Sequence, residues 1–295
     1  HPLINVNRKD FEIPPLVGRI VESKPSLVGF SCYMWNVNVF NEIAKALRER
    51  IPDTKIIWGG SEMSSDFLLQ GKFDKFEMDF CVSGEGEVTF LEFLKNQSFG
   101  VPEISSIPGL AYRDHSSGPF KINSKREALE VLHDVPSPFL TGVVDDEVLL
   151  RPKIEANIET QRGCNLRCSY CTYHKDMNSI TYSSLDRVVS EVVFLVNKGV
   201  KRVRFVDANF SSDLNYAKEI IRAFIEKQFE LRLMFELIPG FIDEELAALF
   251  EEFSCLHEFN DITLGVGVQS IKLDTNKAMR RGIKIEKFNY TFNLI

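Results

Sequence analysis

Ile154-Glu155-Ala156-Asn157-Ile158-Glu159-Thr160-Gln161-Arg162-Gly163-Cys164-Asn165-Leu166-Arg167-Cys168-Ser169-Tyr170-Cys171 is the stretch on which the fold turns. Residues Ile154 to Thr160 read as a strand that runs straight into a loop holding three cysteines. In a chain of 295 residues without a secretion signal, such a cluster points to metal binding rather than to a disulfide framework. Thiolates are soft ligands that suit iron–sulfur clusters or zinc. Spacings of three and then two residues let one loop wrap a cluster and offer it three sulfurs. On a cubane of four irons, three cysteines leave one iron open to a small molecule. The place agrees with this, because catalytic loops sit at the C-terminal ends of barrel strands. Structural zinc is the rival, since His174 lies three residues beyond Cys171 and completes a Cys3His set. Zinc ligands, however, usually come as pairs on separate elements.

Downstream, strands and helices alternate. A helix is expected from about Leu185 to Lys198, with Ser183 and Asp186 as a capping box and Gly199 at its end. Val203 to Val206, Leu231 to Ile238 and Asp261 to Val268 read as strands. Leu214 to Lys227 reads as a helix, as does the stretch from Asp243, its cap, to about Phe253; a further helix starts at Ile285. This gives four strand–helix units, whereas a full eight-fold barrel takes about 250 residues. A partial barrel is expected.

Upstream, Leu27 to Cys32, Lys55 to Trp58 and Phe80 to Val82 are apolar runs suited to buried parallel strands. Helices are expected from Asn38 to Arg50 and from Val88 to Lys95. Leu110 to Arg113 and Phe120 to Ile122 flank turn residues and read as a hairpin, with His115 an exposed turn residue. Pro136-Ser137-Pro138 and the acids near Asp145 read as a crossover. The expected domains are therefore 1–123, a linker 124–153, and 154–295.

The chain is 44% hydrophobic and 26% charged, with a net charge of −7 and a pI near 5.4. That is ordinary for a soluble globular protein. No basic stripe is present to neutralise phosphates, so a nucleic-acid partner is not expected. No apolar run approaches the ~20 residues of a membrane span. Cys32, Cys81 and Cys255 stand alone in apolar surroundings and read as buried, reduced thiols.

Cys164-x3-Cys168-x2-Cys171, with Tyr170 before the last cysteine and Gln161-Arg162-Gly163 before the first, resembles the signature of the radical S-adenosylmethionine (radical SAM) superfamily. The resemblance implies that the three cysteines hold a 4Fe–4S cluster. Its open iron would chelate the amino and carboxylate groups of S-adenosylmethionine, and Tyr170 would pack near the adenine. An electron would then cleave the sulfonium and give a 5′-deoxyadenosyl radical, which takes a hydrogen from substrate. Polar residues at the other strand ends become expected S-adenosylmethionine contacts: Asp207 and Asn209, Glu236, Gln269 and Ser270. The bland alternative for each is a cap or a loop hydrogen bond. The glycine–glycine–glutamate run familiar after the second strand is absent.

Ile13 to Lys95 resembles the Rossmann-like cobalamin-binding domain that precedes some radical enzymes. The matching pieces are Val28 to Asn36, Trp58-Gly59-Gly60 and Ser83-Gly84-Glu85-Gly86-Glu87. Ligands in such sheets bind beyond the C-terminal strand ends, where glycines let the backbone come close. Ser31, Tyr33, Gly59, Gly60, Gly84, Glu85 and Gly86 are the expected cobalamin contacts. A dinucleotide is disfavoured: the third glycine is missing, and two glutamates at a helix start would repel a pyrophosphate. The histidine motif Asp-x-His-x-x-Gly is absent, so cobalamin would bind without that ligand.

Together the expectations are an α/β chain, a Rossmann-like parallel-sheet domain followed by a partial (β/α) radical-SAM barrel, both incomplete, as in a trimmed or degenerate chain. The implied function is a cobalamin-dependent radical SAM methyltransferase acting on an unactivated carbon. The alternatives are a radical rearrangement, oxidation or cyclisation, and a zinc-stabilised binding module. The implied partners are a small-molecule or peptide substrate and a reducing donor such as flavodoxin or ferredoxin, in a reducing cytoplasm.

Overall fold

The computed structural model describes residues 12–64, 71, 75–96, 103–113, 118–171, 173 and 179–295. The chain divides into two compact units, one up to Ala128 and one from Leu129 onward. His115, the tip of the expected hairpin and His174 lie outside the described residues.

The first unit opens with helix α1 (Ile13–Glu22), whose early prolines suit a first turn that has no use for their missing N–H groups. There follow β1 (Leu27–Ser31), α2 (Val37–Arg50), β2 (Lys55–Gly59), β3 (Phe80–Val82), α3 (Gly86–Lys95), β4 (Leu110–Tyr112) and β5 (Lys121–Ile122). The sheet runs β1-β2-β3-β4-β5, with β1 to β3 parallel and the last two pairings antiparallel. Consecutive residues of β2 point to opposite faces. Ile56 and Trp58 pack with Leu16, Val17, Ile43 and Leu47, while Ile57 packs with Phe80, Phe93 and Leu110. The sheet is covered on both sides, which is why its strands are apolar without alternation.

The second unit carries α4 (Asp146–Leu149), β6 (Ala156–Ile158), β7 (Gln161–Arg162), β8 (Thr181–Tyr182), α5 (Leu185–Asn197), β9 (Arg202–Phe205), α6 (Leu214–Glu226), β10 (Arg232–Leu237), α7 (Glu244–Leu256), β11 (Asp261–Val266), α8 (Leu273–Ala278) and α9 (Ile285–Leu294). β6, β9, β10 and β11 form one parallel sheet in chain order. It is open, not a closed barrel. Val203, Phe205, Leu233, Phe235 and Leu237 pack against α5, α6 and α7 around a run of phenylalanine rings, with Phe210 and Phe235 centred 4.1 Å apart. Residues 129–153 fold onto this unit, and Phe139 and Leu149 join its core. Arg126, just before them, bonds back to Thr89 of the first unit's α3.

Three local expectations change. The cap of α5 is Ser184, whose hydroxyl accepts from Arg187 N at 3.3 Å; Ser183 is buried, and its carbonyl accepts from Tyr216 Oη at 2.8 Å. Cys255 is exposed. It lies two positions after Phe253, on the far side of α7 from the core-facing Leu246, Leu249, Phe250 and Phe253. The strand read as Ile154 to Thr160 is cut to Ala156–Ile158, because the backbone turns away at Thr160. Cys32 and Cys81 are buried as expected, and burial pushes both thiols upward. Among the described residues no helix is long and apolar enough to cross a membrane.

Candidate cofactor sites at the strand ends

Asp207, at the end of β9, makes the turn that launches the cysteine loop. It is 1% exposed. Its Oδ1 accepts from Thr160 N at 2.8 Å and Gln161 N at 3.0 Å, and its Oδ2 accepts from Thr160 Oγ1 at 2.7 Å. Two N–H groups that a longer β6 would aim at a neighbouring strand are thus held by a carboxylate. Burial pushes that carboxyl up to about 7, against the pull of its hydrogen bonds. β7 and β8 then pair antiparallel and close the base of the loop. Gly163 stands there with φ +117°, and a Cβ would lie 2.6 Å from Ser179 O. Only glycine fits.

The three thiols line one cavity of about 340 Å³. Cys168 is buried, and Cys164 and Cys171 are partly so. Leu166 N donates to Cys164 Sγ at 3.4 Å, and burial nonetheless raises that thiol above its ordinary value. Tyr170, Asp207, Glu236 and Gln269 line the same cavity. Of the other expected contacts, Asn209 is buried away from it. Its Oδ1 accepts from Ile238 N at 3.0 Å and ties the ends of β9 and β10. Ser270 does not line it either, and its hydroxyl accepts from Lys272 N at 3.1 Å. Glu236 reaches the cavity across Gly265, where a Cβ would collide with its carboxylate, and accepts from Arg204 Nη2 at 3.3 Å.

Two wall residues escaped the sequence. Tyr173 accepts from Gly163 N at 3.4 Å, and its phenol is pushed up to about 12, mainly by burial. Arg281 is 6% exposed, from the turn after α8. It donates to Cys168 Sγ at 3.6 Å, Tyr170 Oη at 3.1 Å and Gly267 O at 2.6 Å. A lone Arg280-Arg281 pair with no motif around it carries no signal in the sequence.

The donor set fits an iron–sulfur cluster. Three soft thiols converge on one wall with a buried cation behind them, which suits a ligand that bears net negative charge. Among the described residues, no three His, Cys, Asp or Glu side chains are placed to hold one metal ion. A cubane does not ask that of them, since each thiolate takes a different iron.

In the first unit the C-terminal strand ends form a second open edge. Asn36 Oδ1 accepts from Tyr33 N at 2.8 Å and its Nδ2 donates to Ser31 O at 3.2 Å, which shapes the loop after β1. That loop holds Tyr33 and Trp35 outward, stacked with ring centroids 4.8 Å apart, beside Met34. Ser31 is exposed next to them, and Gly59 is half-buried at the end of β2. Gly84, with φ +79°, has open space where a Cβ would stand; Glu85 and Gly86 follow at the start of α3. Gly60 is a different case. Its Cβ would lie 2.6 Å from Cys32 N and O, so its bareness serves internal packing. An open edge with a bare glycine and outward rings fits a large, flat, partly apolar ligand such as cobalamin.

The family model described as "Radical SAM superfamily" matches residues 158–293, and "B12 binding domain" matches residues 3–94. The cobalamin-dependent radical SAM methyltransferase TokK of Streptomyces tokunonensis is 29% identical over 284 residues, covering 90% of this chain and 39% of its own length. The 2-(S-pantetheinyl)-carbapenam-3-carboxylate methyltransferase of Streptantibioticus cattleyicolor is 27% identical over 279 residues, with 90% and 39% covered. The chain thus spans 39% of the length of these relatives. Two solved structures share the fold. The radical S-adenosylmethionine methyltransferase TsrM of Kitasatospora setae has a TM-score of 0.70 at 19% identity, over 97% of this chain and 57% of that one. The cobalamin-dependent S-adenosylmethionine radical enzyme OxsB has a TM-score of 0.74 at 19% identity, over 96% and 41%.

Proposed function

We propose that the chain, which the B12 binding domain model and the Radical SAM superfamily model match in turn, is part of a cobalamin-dependent radical SAM methyltransferase that places a methyl group on an unactivated carbon. The observation that carries this is the cavity at the ends of parallel strands that Cys164, Cys168, Cys171 and Arg281 line together. When bound, the cluster would supply the electron for reductive cleavage of S-adenosylmethionine, and cobalamin would supply the methyl group.

The protein's part is placement. Cys164, Cys168 and Cys171 hold the cluster. Tyr170, Glu236 and Gln269 face the S-adenosylmethionine bound beside it, while Asp207 holds the loop from behind. Asn209 and Ser270, first expected as contacts, act as struts. In the region 1–123, the edge of Ser31, Tyr33, Gly59, Gly84, Glu85 and Gly86 takes cobalamin, with Gly60 keeping β1 and β2 close. The region 154–295 takes the cluster. The substrate is a small molecule or a peptide. A flavodoxin- or ferredoxin-like donor brings the electron, and a reducing cytoplasm suits the cluster.

The test is anaerobic reconstitution of the chain with iron, sulfide and hydroxocobalamin, followed by desalting. About four irons and one cobalt per chain are expected. With a reductant and S-adenosylmethionine, the loaded protein should release 5′-deoxyadenosine and, as methyl is transferred, S-adenosylhomocysteine. The former without the latter would move the function to a non-methylating radical reaction. Zinc in place of iron would make it a binding module.

A further inference from the structure

A buried cation is costly unless something compensates it, and Arg281 has no carboxylate within salt-bridge distance among the described residues. Its fork is spent on Tyr170 Oη, Gly267 O and, at 3.6 Å, Cys168 Sγ, and its buried Nε has no partner among the described residues. The surroundings are built around it. Gly267 is bare where a Cβ would come within 3.0 Å of Arg281 Nη2. The turn that carries Arg281 is tied to the cysteine loop, since Ser169 N donates to Met279 O at 2.9 Å, and to α8, since Arg281 N donates to Asn276 O at 2.9 Å.

We propose that Arg281 is a positioning residue that raises the reduction potential of the cluster held by Cys164, Cys168 and Cys171. The proposal rests on the cluster assignment above. Reduction moves one electron from an external one-electron donor to the cluster, taking its core from 2+ to 1+. No bond forms or breaks and no proton moves, because the guanidinium stays protonated throughout. The cluster gains one negative charge. A fixed positive charge and an N–H···S bond at Cys168 stabilise the more negative state, and hydrogen bonds to the sulfurs and local charge are among the terms that set such potentials. An arginine does this better than a lysine, because its rigid fork holds the sulfur, the phenol and the carbonyl together.

The experiment is a dye-mediated redox titration of the anaerobically reconstituted full chain, read by the electron paramagnetic resonance signal of the reduced cluster. Wild type, R281M, R281K and G267A are compared at equal iron content. R281M should lower the reduction equilibrium constant at least tenfold, which is about 59 mV for one electron. R281K should fall between R281M and wild type, and G267A, which pushes the guanidinium aside, should shift the same way. Should R281M fail to hold iron, R281K and G267A decide alone. Reduction equilibrium constants within threefold of wild type in every loaded variant would overturn the proposal and leave the cluster standing. A wild type that takes up no iron would overturn the cluster assignment and the proposal with it.

Discussion

Asp207 is a carboxylate held where water cannot reach it, and its ionisation should be visible in stability. Unfolded, it titrates near the usual value of about 3.9; folded, burial raises it to about 7. The folded state therefore binds the extra proton between these values. The stability it contributes is complete below about pH 4 and is lost as pH rises toward 7, by up to about 1.4 kcal/mol per pH unit. Urea unfolding of the metal-free chain from pH 4 to 7 should show this slope, and D207N should flatten it. Asparagine keeps the geometry, with Oδ1 accepting from Thr160 N and Gln161 N and Nδ2 donating to Thr160 Oγ1. An unchanged slope in D207N would assign the pH dependence elsewhere. Two glycines make a second residue-scale contrast. G60A puts a methyl group against Cys32 at a φ of +101° and should cost about 1–3 kcal/mol from the backbone alone, before the clash. G84A, at +79° but in open space, should cost less and mainly weaken hydroxocobalamin uptake. Equal losses of stability in the two would contradict the division of labour drawn between them.

Among the elements, α5 packs Val188, Val192 and Leu195 on the sheet, and its start is set by one hydroxyl. S184A should cost about 1 kcal/mol of unfolding free energy, as a lost N-cap does, and lower the urea midpoint accordingly. S183A leaves the cap in place and should cost less. The opposite order would restore Ser183 as the cap. The two serines are adjacent, and sequence spacing cannot say which one the chain turns at. Tyr216 decides it, by drawing Ser183 O inward. The short β6 has the same origin, since a carboxylate 46 residues away takes the N–H of Gln161.

On the scale of the whole molecule, the two ligand sets stand in separate units, split between Ala128 and Leu129. Loss of one should leave the other. C168S reconstituted with iron, sulfide and hydroxocobalamin should retain about one cobalt per chain while its iron falls toward zero. Loss of both metals together would show that the sites depend on one another.

The sequence alone determined what depends on local chemistry: which runs are strands and helices, the parallel order they impose, and the three thiols within eight residues that announce a cluster. Hydrophobic period and ligand spacing act over a few residues, so one chain displays them. What only the tertiary structure decided depends on contacts between distant segments. Asp207, at the wall of the cavity, also braces Thr160, Gly60 stands against Cys32, and Cys255 faces outward. Arg281 reaches Cys168 from 113 residues downstream. Such a pairing leaves no periodicity and no motif, because its energy is made only when the fold brings the two together.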